Sequence, residues 1–250
     1  MQLILIYNFL FNMLFIDEYY DLNINNVQYS NFWFYFKNQI SICQSYKPKI
    51  ARSYCTNSRN DFFWGQVCGI EFNKFKEKFC YIATPVFETV YSSKGYYRSL
   101  IVKNKGNLKC VIFNNKFSYS GCTTLKHFLK LNKININRNI YSGSHINTIK
   151  LLVSGKNQIA SIDEIIWHHI KKYKLANVND LEIIHITNPK PLPPWVTSID
   201  NKSYKDLYLK ALNNTFQMKK KNKNMDFIDL VDYKKFEEVE YHMHFKDFVL

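Results

Sequence analysis

The chain has 250 residues, enough for one large domain or two small ones. Hydrophobic residues make up 46% of it, which supports a buried core and excludes a disordered chain. The formal net charge of +14 invites a nucleic-acid reading, but the basic residues are scattered, and the one dense run, Lys219-Lys220-Lys221-Asn222-Lys223, reads as a solvated loop or helix end, so no nucleic-acid partner is expected.

The first sixteen residues are apolar. They are too few for a comfortable transmembrane helix, which needs about 20 residues. They lack the basic start and small-residue cleavage site of a signal peptide, and they suit a buried first strand over 9–16. An uncleaved export signal is the alternative. The six cysteines, Cys43, Cys55, Cys68, Cys80, Cys110 and Cys122, form no C-x-x-C pair, and no histidine cluster has zinc spacing. They read as buried free thiols, with disulfides in an oxidising compartment as the alternative. No metal or cofactor is expected.

Along the chain, 17–26 reads as a polar loop and Ser30 to Ile40 as a helix. In "DFFWGQVCGIEF" (61–72) a helix gives way to a loop, with Gly65 and Gly69 as breakers. Phe79 to Phe87 is a buried strand meeting Pro85. Tyr96 to Lys103 is a strand. A regular run follows. Strands are predicted over 110–115, 138–143, 158–162 and 181–187, and helices over 120–131, 144–155 and 163–175. Ser120 reads as the cap of the first helix. In the second, Ile146, Ile149, Leu152 and Val153 share one face and Gly155 is the stop. Strand and helix repeated three times, then a strand, predicts a parallel doubly wound sheet. The four prolines of "NPKPLPPWVTS" (188–198) mark a connector. A helix over 204–218 follows, and the remainder reads as polar and helical.

In such sheets ligands sit at the carboxyl ends of the strands. The pattern brings Ser118 and Ser120, then Ser144-His145, then Asp163 to one edge. Ser120-Gly121-Cys122-Thr123 opens a helix, where free N–H groups and the positive dipole end attract anions, and Gly121 allows close backbone approach. His145 can donate to a phosphoryl oxygen. Asp163 would repel a fully ionised anion and so favours one that carries a proton or an amine, a filter against sulfate. Taken singly, each residue also has a plain reading: Ser120 and Asp163 as helix caps, His145 as a first-turn surface residue.

Here the sequence resembles a known family. "GSHINTIKLLVSGKNQIASID" (143–163) is similar to the "GSH…V…G…D(V/I)AA(I/L)D" pattern of the phosphonate-binding periplasmic solute receptors, which serve phosphate, phosphite and phosphonate ABC importers. "GYYRSLIVKN" (95–104) resembles that family's crossing strand, "FSYSGCTTLKHFL" (117–129) its Ser-x-Ser-Gly loop and helix, "LPPWVTS" (192–198) its return connector, and 61–72 the "LLLSQTCGLPF" of short members. The resemblance covers 61–198. It implies a type II periplasmic-binding-protein fold: two doubly wound α/β lobes joined by two crossing strands, an outer lobe of 1–99 plus 188–250, a central lobe of 100–187, and a ligand cleft between them. It implies Ser118, Ser120, Gly121, Cys122, Thr123, His145 and Asp163 as ligand-binding residues, with Tyr97 and Gln66 added from the facing lobe. The function it implies is a receptor for a small phosphorus oxyanion that performs no chemistry, monomeric, with an ABC-transporter permease as partner and a periplasmic or membrane-associated location; a cytoplasmic one is the alternative. Two departures stand out: Cys122-Thr123 in the loop, and the N-terminus. The residues also admit an enzyme, in which Cys122, with its pKa lowered at a helix start, is activated by His145 and oriented by Asp163.

Overall fold

The computed structural model of the chain describes residues 14–16, 39, 49–51, 62–87, 95–172, 174–221 and 233–237. By their contacts these form two units. The first runs up to Val86 and resumes at Pro193; the second runs from Phe87 to Leu192. The loop expected at 17–26 lies outside the described residues, as does the helix expected at 30–40 apart from Gln39, which is helical. Cys43 and Cys55 also lie outside them.

The chain begins in the first unit with β1 (Leu14–Ile16), β2 (Lys49–Ala51), β3 (Phe62–Gln66), helix α1 (Gly69–Lys74) and β4 (Phe79–Phe87). The segment 61–72 therefore runs from strand to helix, the reverse of the helix-to-loop transition expected. Phe62, Phe63 and Trp64 are aromatic residues that favour a strand. Gly65 lies within it, paired with Val196 on a neighbouring strand, where a missing side chain is tolerated. Pro85 does not end β4. It lies beyond Ala83, the last residue paired with the adjacent strand, so no ladder bond to that strand is lost.

The second unit holds β5 (Tyr96–Tyr97), β6 (Ser99–Lys103), β7 (Cys110–Phe113), a π turn (Tyr119–Thr123) leading into helix α2 (Thr124–Leu131), β8 (Asn139–Tyr141), α3 (His145–Ser154), β9 (Gln158–Asp163), α4 (Glu164–Lys172), β10 (Glu182–Ile186) and β11 (Lys190–Pro191). Five strands form a sheet in the order β10-β6-β9-β7-β8. β7 runs parallel to both β8 and β9, and β6 runs antiparallel to both β9 and β10. The helical crossovers thus give β7, β8, β9 and β10 a single direction, as the strand-helix repeat requires. The sheet is nonetheless mixed where a purely parallel one was expected: β6 is not reached through a crossover helix, and it inserts reversed between β9 and β10. β9 is buried from Ile159 onward on both faces, the pattern of a central covered strand. On one side Ile101, Val111, Phe113, Cys122, Leu125 and Ile159 form an apolar core. In α3 the buried residues are Thr148, Ile149 and Leu152, while Val153 is exposed, so the buried stripe is narrower than the sequence pattern suggested.

The chain returns to the first unit through β12 (Trp195–Ser198), a short 3-10 helix (Ile199–Tyr204), α5 (Lys205–Lys221) and β13 (Tyr233–Glu237). Its six strands are ordered β13-β4-β12-β3-β1-β2. The expected connector at 188–198 therefore contains two strands. β11 pairs with β5 in the second unit, and β12 lies between β3 and β4 in the first. Proline lacks an N–H donor but keeps its carbonyl: Pro193 accepts from Gln66 Nε2 at 2.8 Å and Pro194 from the Val67 N–H at 3.2 Å. Once past them, Trp195, Val196, Thr197 and Ser198 are free to pair, and all four are buried. The strand β13 also replaces part of the helical tail expected after 218.

Candidate anion-binding site

β7 ends at Phe113, and the chain then turns wide. The N–H groups of Cys122 and Thr123 both donate to the Ser118 carbonyl, at 3.2 and 3.1 Å, and the Thr124 N–H reaches the Tyr119 carbonyl. This is π geometry, with five-residue steps, of the kind often found at functional positions. Its cause lies in β9. The Ser120 carbonyl accepts from the Thr124 hydroxyl at 2.7 Å and from the Ser161 hydroxyl, and those two hydroxyls are 2.8 Å apart. Two hydroxyl protons shared over three contacts tie the turn sideways to the sheet. The cap is Ser118, whose Oγ accepts the Gly121 N–H at 3.1 Å, where the sequence pointed to Ser120. Ser120 is freed for another role. Among the described residues none accepts its backbone N–H.

The second loop follows β8. Gly143 has φ +85°, a conformation that favours glycine, and its N–H donates to the Asn114 carbonyl at 2.8 Å. Ser144 then caps α3 by accepting the Asn147 N–H at 3.2 Å. This places His145 in the first turn, with Nε2 2.9 Å from Ser120 Oγ. Burial pushes the His145 imidazole down to about 4, so it is neutral near pH 7. Its Nδ1 has neither solvent-accessible surface nor a hydrogen-bond partner among the described residues. Ser144→Ala is expected to destabilise the second unit by about 1 kcal/mol, the usual value of such a cap. Chemical denaturation would show it.

Asp163 closes β9 and is buried, with Oδ1 accepting the Ile165 N–H at 2.8 Å at the start of α4. It is two residues beyond Ser161 on one strand, hence on the same sheet face as the hydroxyl that grips Ser120. Ser118, Ser120, His145 and Asp163 are therefore linked through the ends of three adjacent parallel strands.

The other residues singled out in the sequence are placed differently. The Gly121 N–H is taken by Ser118, and its missing side chain makes room for Asn114. Cys122 is fully buried in the apolar core, and burial raises its thiol pKa against a smaller opposing effect of Lys126. That removes the low-pKa nucleophile an enzyme reading needs. Thr123 is buried in the turn. Tyr97 is buried in β5, opposite Lys190. Gln66 lies in the first unit, with its amide on Pro193. Cys68, Cys80 and Cys110 are also free thiols, all buried. Sequence reasoning missed Asn114, Thr124 and Ser161. The signal for Asn114 was a polar pair following the apolar "CVIF"; Ser161 broke an otherwise apolar strand.

Residues 83–244 match the family described as "ABC transporter, phosphonate, periplasmic substrate-binding protein". The chain belongs to this phosphonate-binding family. Its members are binding proteins of transporters and not enzymes. No curated protein sequence matches the chain. Among solved structures, it is similar to PhnD1 of Prochlorococcus marinus in complex with methylphosphonate, with TM-score 0.70 and 18% identity over 94% of this chain and 95% of that one. The binding protein component of an ABC phosphonate transporter of Pseudomonas aeruginosa matches with TM-score 0.66 and 13% identity, over 91% and 81%. The glutamate-bound GluR0 ligand-binding core of Nostoc punctiforme matches with TM-score 0.53 and 12% identity, over 87% and 96%. These likenesses establish the type II periplasmic-binding-protein fold. No described helix is long and apolar enough to cross a membrane.

Proposed function

We propose that this member of the phosphonate-binding family is a receptor for a small phosphorus oxyanion and delivers it to the permease of an ABC importer from the periplasmic side. The observation that carries the reading is the Ser120–His145 contact. It joins residues 25 apart in sequence at the amino end of a helical segment, where peptide dipoles favour negative charge. Family membership supplies the transport context.

The imidazole is neutral and so recognises the anion by hydrogen bonding without adding full charge. Asp163 favours a ligand that presents a proton or an amine, as a monoprotonated phosphate, phosphite or aminophosphonate does. Sulfate presents neither.

Differential scanning of the purified protein with phosphate, phosphite, methylphosphonate, 2-aminoethylphosphonate and sulfate tests this. A ligand at a hundred times its dissociation constant adds about 2.7 kcal/mol of stability. A shift with at least one phosphorus anion and none with sulfate is the expected result; a protein indifferent to all four phosphorus compounds overturns the reading. Asp163→Asn is expected to weaken the preferred ligand roughly 10- to 100-fold, the value of one charge-assisted hydrogen bond, and to narrow the gap to sulfate. Titration calorimetry reads both effects.

A further inference from the structure

We infer that Asn114 is a positioning residue for anion binding: it fixes the direction of the Ser118 hydroxyl, making that group an obligate donor. The inference rests on the oxyanion reading given above. Asn114 directly follows β7 and is 8% exposed. Its Oδ1 accepts the Asn115 N–H at 2.7 Å and its Nδ2 donates to Ser118 Oγ at 3.1 Å. A backbone N–H can only donate, so the Asn115 contact settles which end of the amide is oxygen, and the NH₂ faces Ser118.

A serine hydroxyl has two acceptor lone pairs and one proton. The first lone pair takes Asn114 Nδ2–H and the second takes the Gly121 N–H, also at 3.1 Å. Both are filled, so the proton points to neither, and no described residue accepts it. A hydroxyl held this way complements a group that only accepts, such as an ionised phosphoryl oxygen, and has no capacity left for a donor. The Asn114 backbone carbonyl also holds Gly143, so one residue anchors both loops, while its side-chain NH₂ sets the polarity of Ser118.

Asn114→Asp separates these roles. It retains the shape, the Asn115 contact and the backbone bond, but its second oxygen accepts where Nδ2 donated. The Ser118 proton is drawn to it, and the donor is lost. Calorimetric titration with phosphate, phosphite and methylphosphonate, on wild type, Asn114→Asp, Asn114→Ala, Ser118→Ala and the double variant Asn114→Ala/Ser118→Ala, is the test, with a melting curve for each protein. Asn114→Asp is expected to weaken binding at least about tenfold. In the Ser118→Ala background, Asn114→Ala should cost less than about twofold more, because a residue acting through Ser118 has nothing left to act on. Should Asn114→Ala not fold, Asn114→Ser, which adds no charge to repel the anion, completes the same cycle. Losses that multiply independently would show a merely structural asparagine and overturn the assignment, as would Asn114→Asp binding like wild type. A wild-type protein that binds none of the three anions overturns the receptor reading and this assignment with it.

Discussion

Gly121→Ala is expected to destabilise the second unit by about 3 kcal/mol and to abolish anion binding. A methyl group at this position would meet Asn114 Oδ1 at 2.0 Å and Cγ at 2.2 Å, well inside any real contact. Overpacking a tight site costs about 1–3 kcal/mol. Asn114 gives way poorly because its amide is held at both ends and it is buried. Displacing it also breaks those hydrogen bonds, at about 1 kcal/mol each. The backbone there is not in the left-handed region, so the effect is steric and not torsional. Denaturant titration measures the stability, and Gly121→Ala melting like wild type would rule out the close packing of turn and asparagine.

The second large effect concerns pH. His145 is held at about 4, below its ordinary value of 6.5. The unfolded chain therefore binds a proton between pH 6.5 and 4 that the folded chain refuses. Stability falls as pH drops through that window, by roughly 2–3 kcal/mol after allowance for the partly exposed ring. Glu71, in α1 of the first unit, is held at about 7 by burial, above its ordinary 4.5. The folded chain then binds the extra proton, so this contribution has the opposite sign: stability rises as pH drops from 7 to 4.5. The two contributions are similar in size, and the total for wild type is expected to change little from this pair. His145→Asn should gain stability relative to wild type on going from pH 7 to 4.5, and Glu71→Gln should lose it. Parallel denaturation curves at the two pH values decide the point; variants that track wild type at both would remove the burial argument for these groups.

Much of the second unit was legible because its signals are local. "QIASID" is a strand by apolar content and length, and Gly155 and Ser144 bracket α3 by their own chemistry. The ends of β7, β8 and β9 could be lined up from connectivity rules alone, which is why Ser118, Ser120, His145 and Asp163 were found together. What the sequence hid depends on distant partners. The cap moved from Ser120 to Ser118 because Ser161, 41 residues away, grips the Ser120 carbonyl and widens the turn. Cys122 looked activated at a helix start, but the core closes over it. β6 reversed the sheet direction locally, and nothing in "SLIVK" announces direction. β12 was masked by its prolines, although they only precede it.

β12 has a consequence for the order in which the protein is made. Gln66 meets Pro193 across 127 positions of sequence, and the strand that follows Pro193 separates β3 from β4. Closing so long a loop is slow. The described strands of the second unit all lie between Tyr96 and Pro191, so on a ribosome they are synthesised before β12 emerges. β3 and β4 must wait meanwhile with the edges that β12 will cover still open, and open edges invite pairing with other chains. A nascent chain of this protein is thus most vulnerable to association between the synthesis of Phe87 and that of Ser198, after the first segment of its first unit has been made and before that unit can be finished.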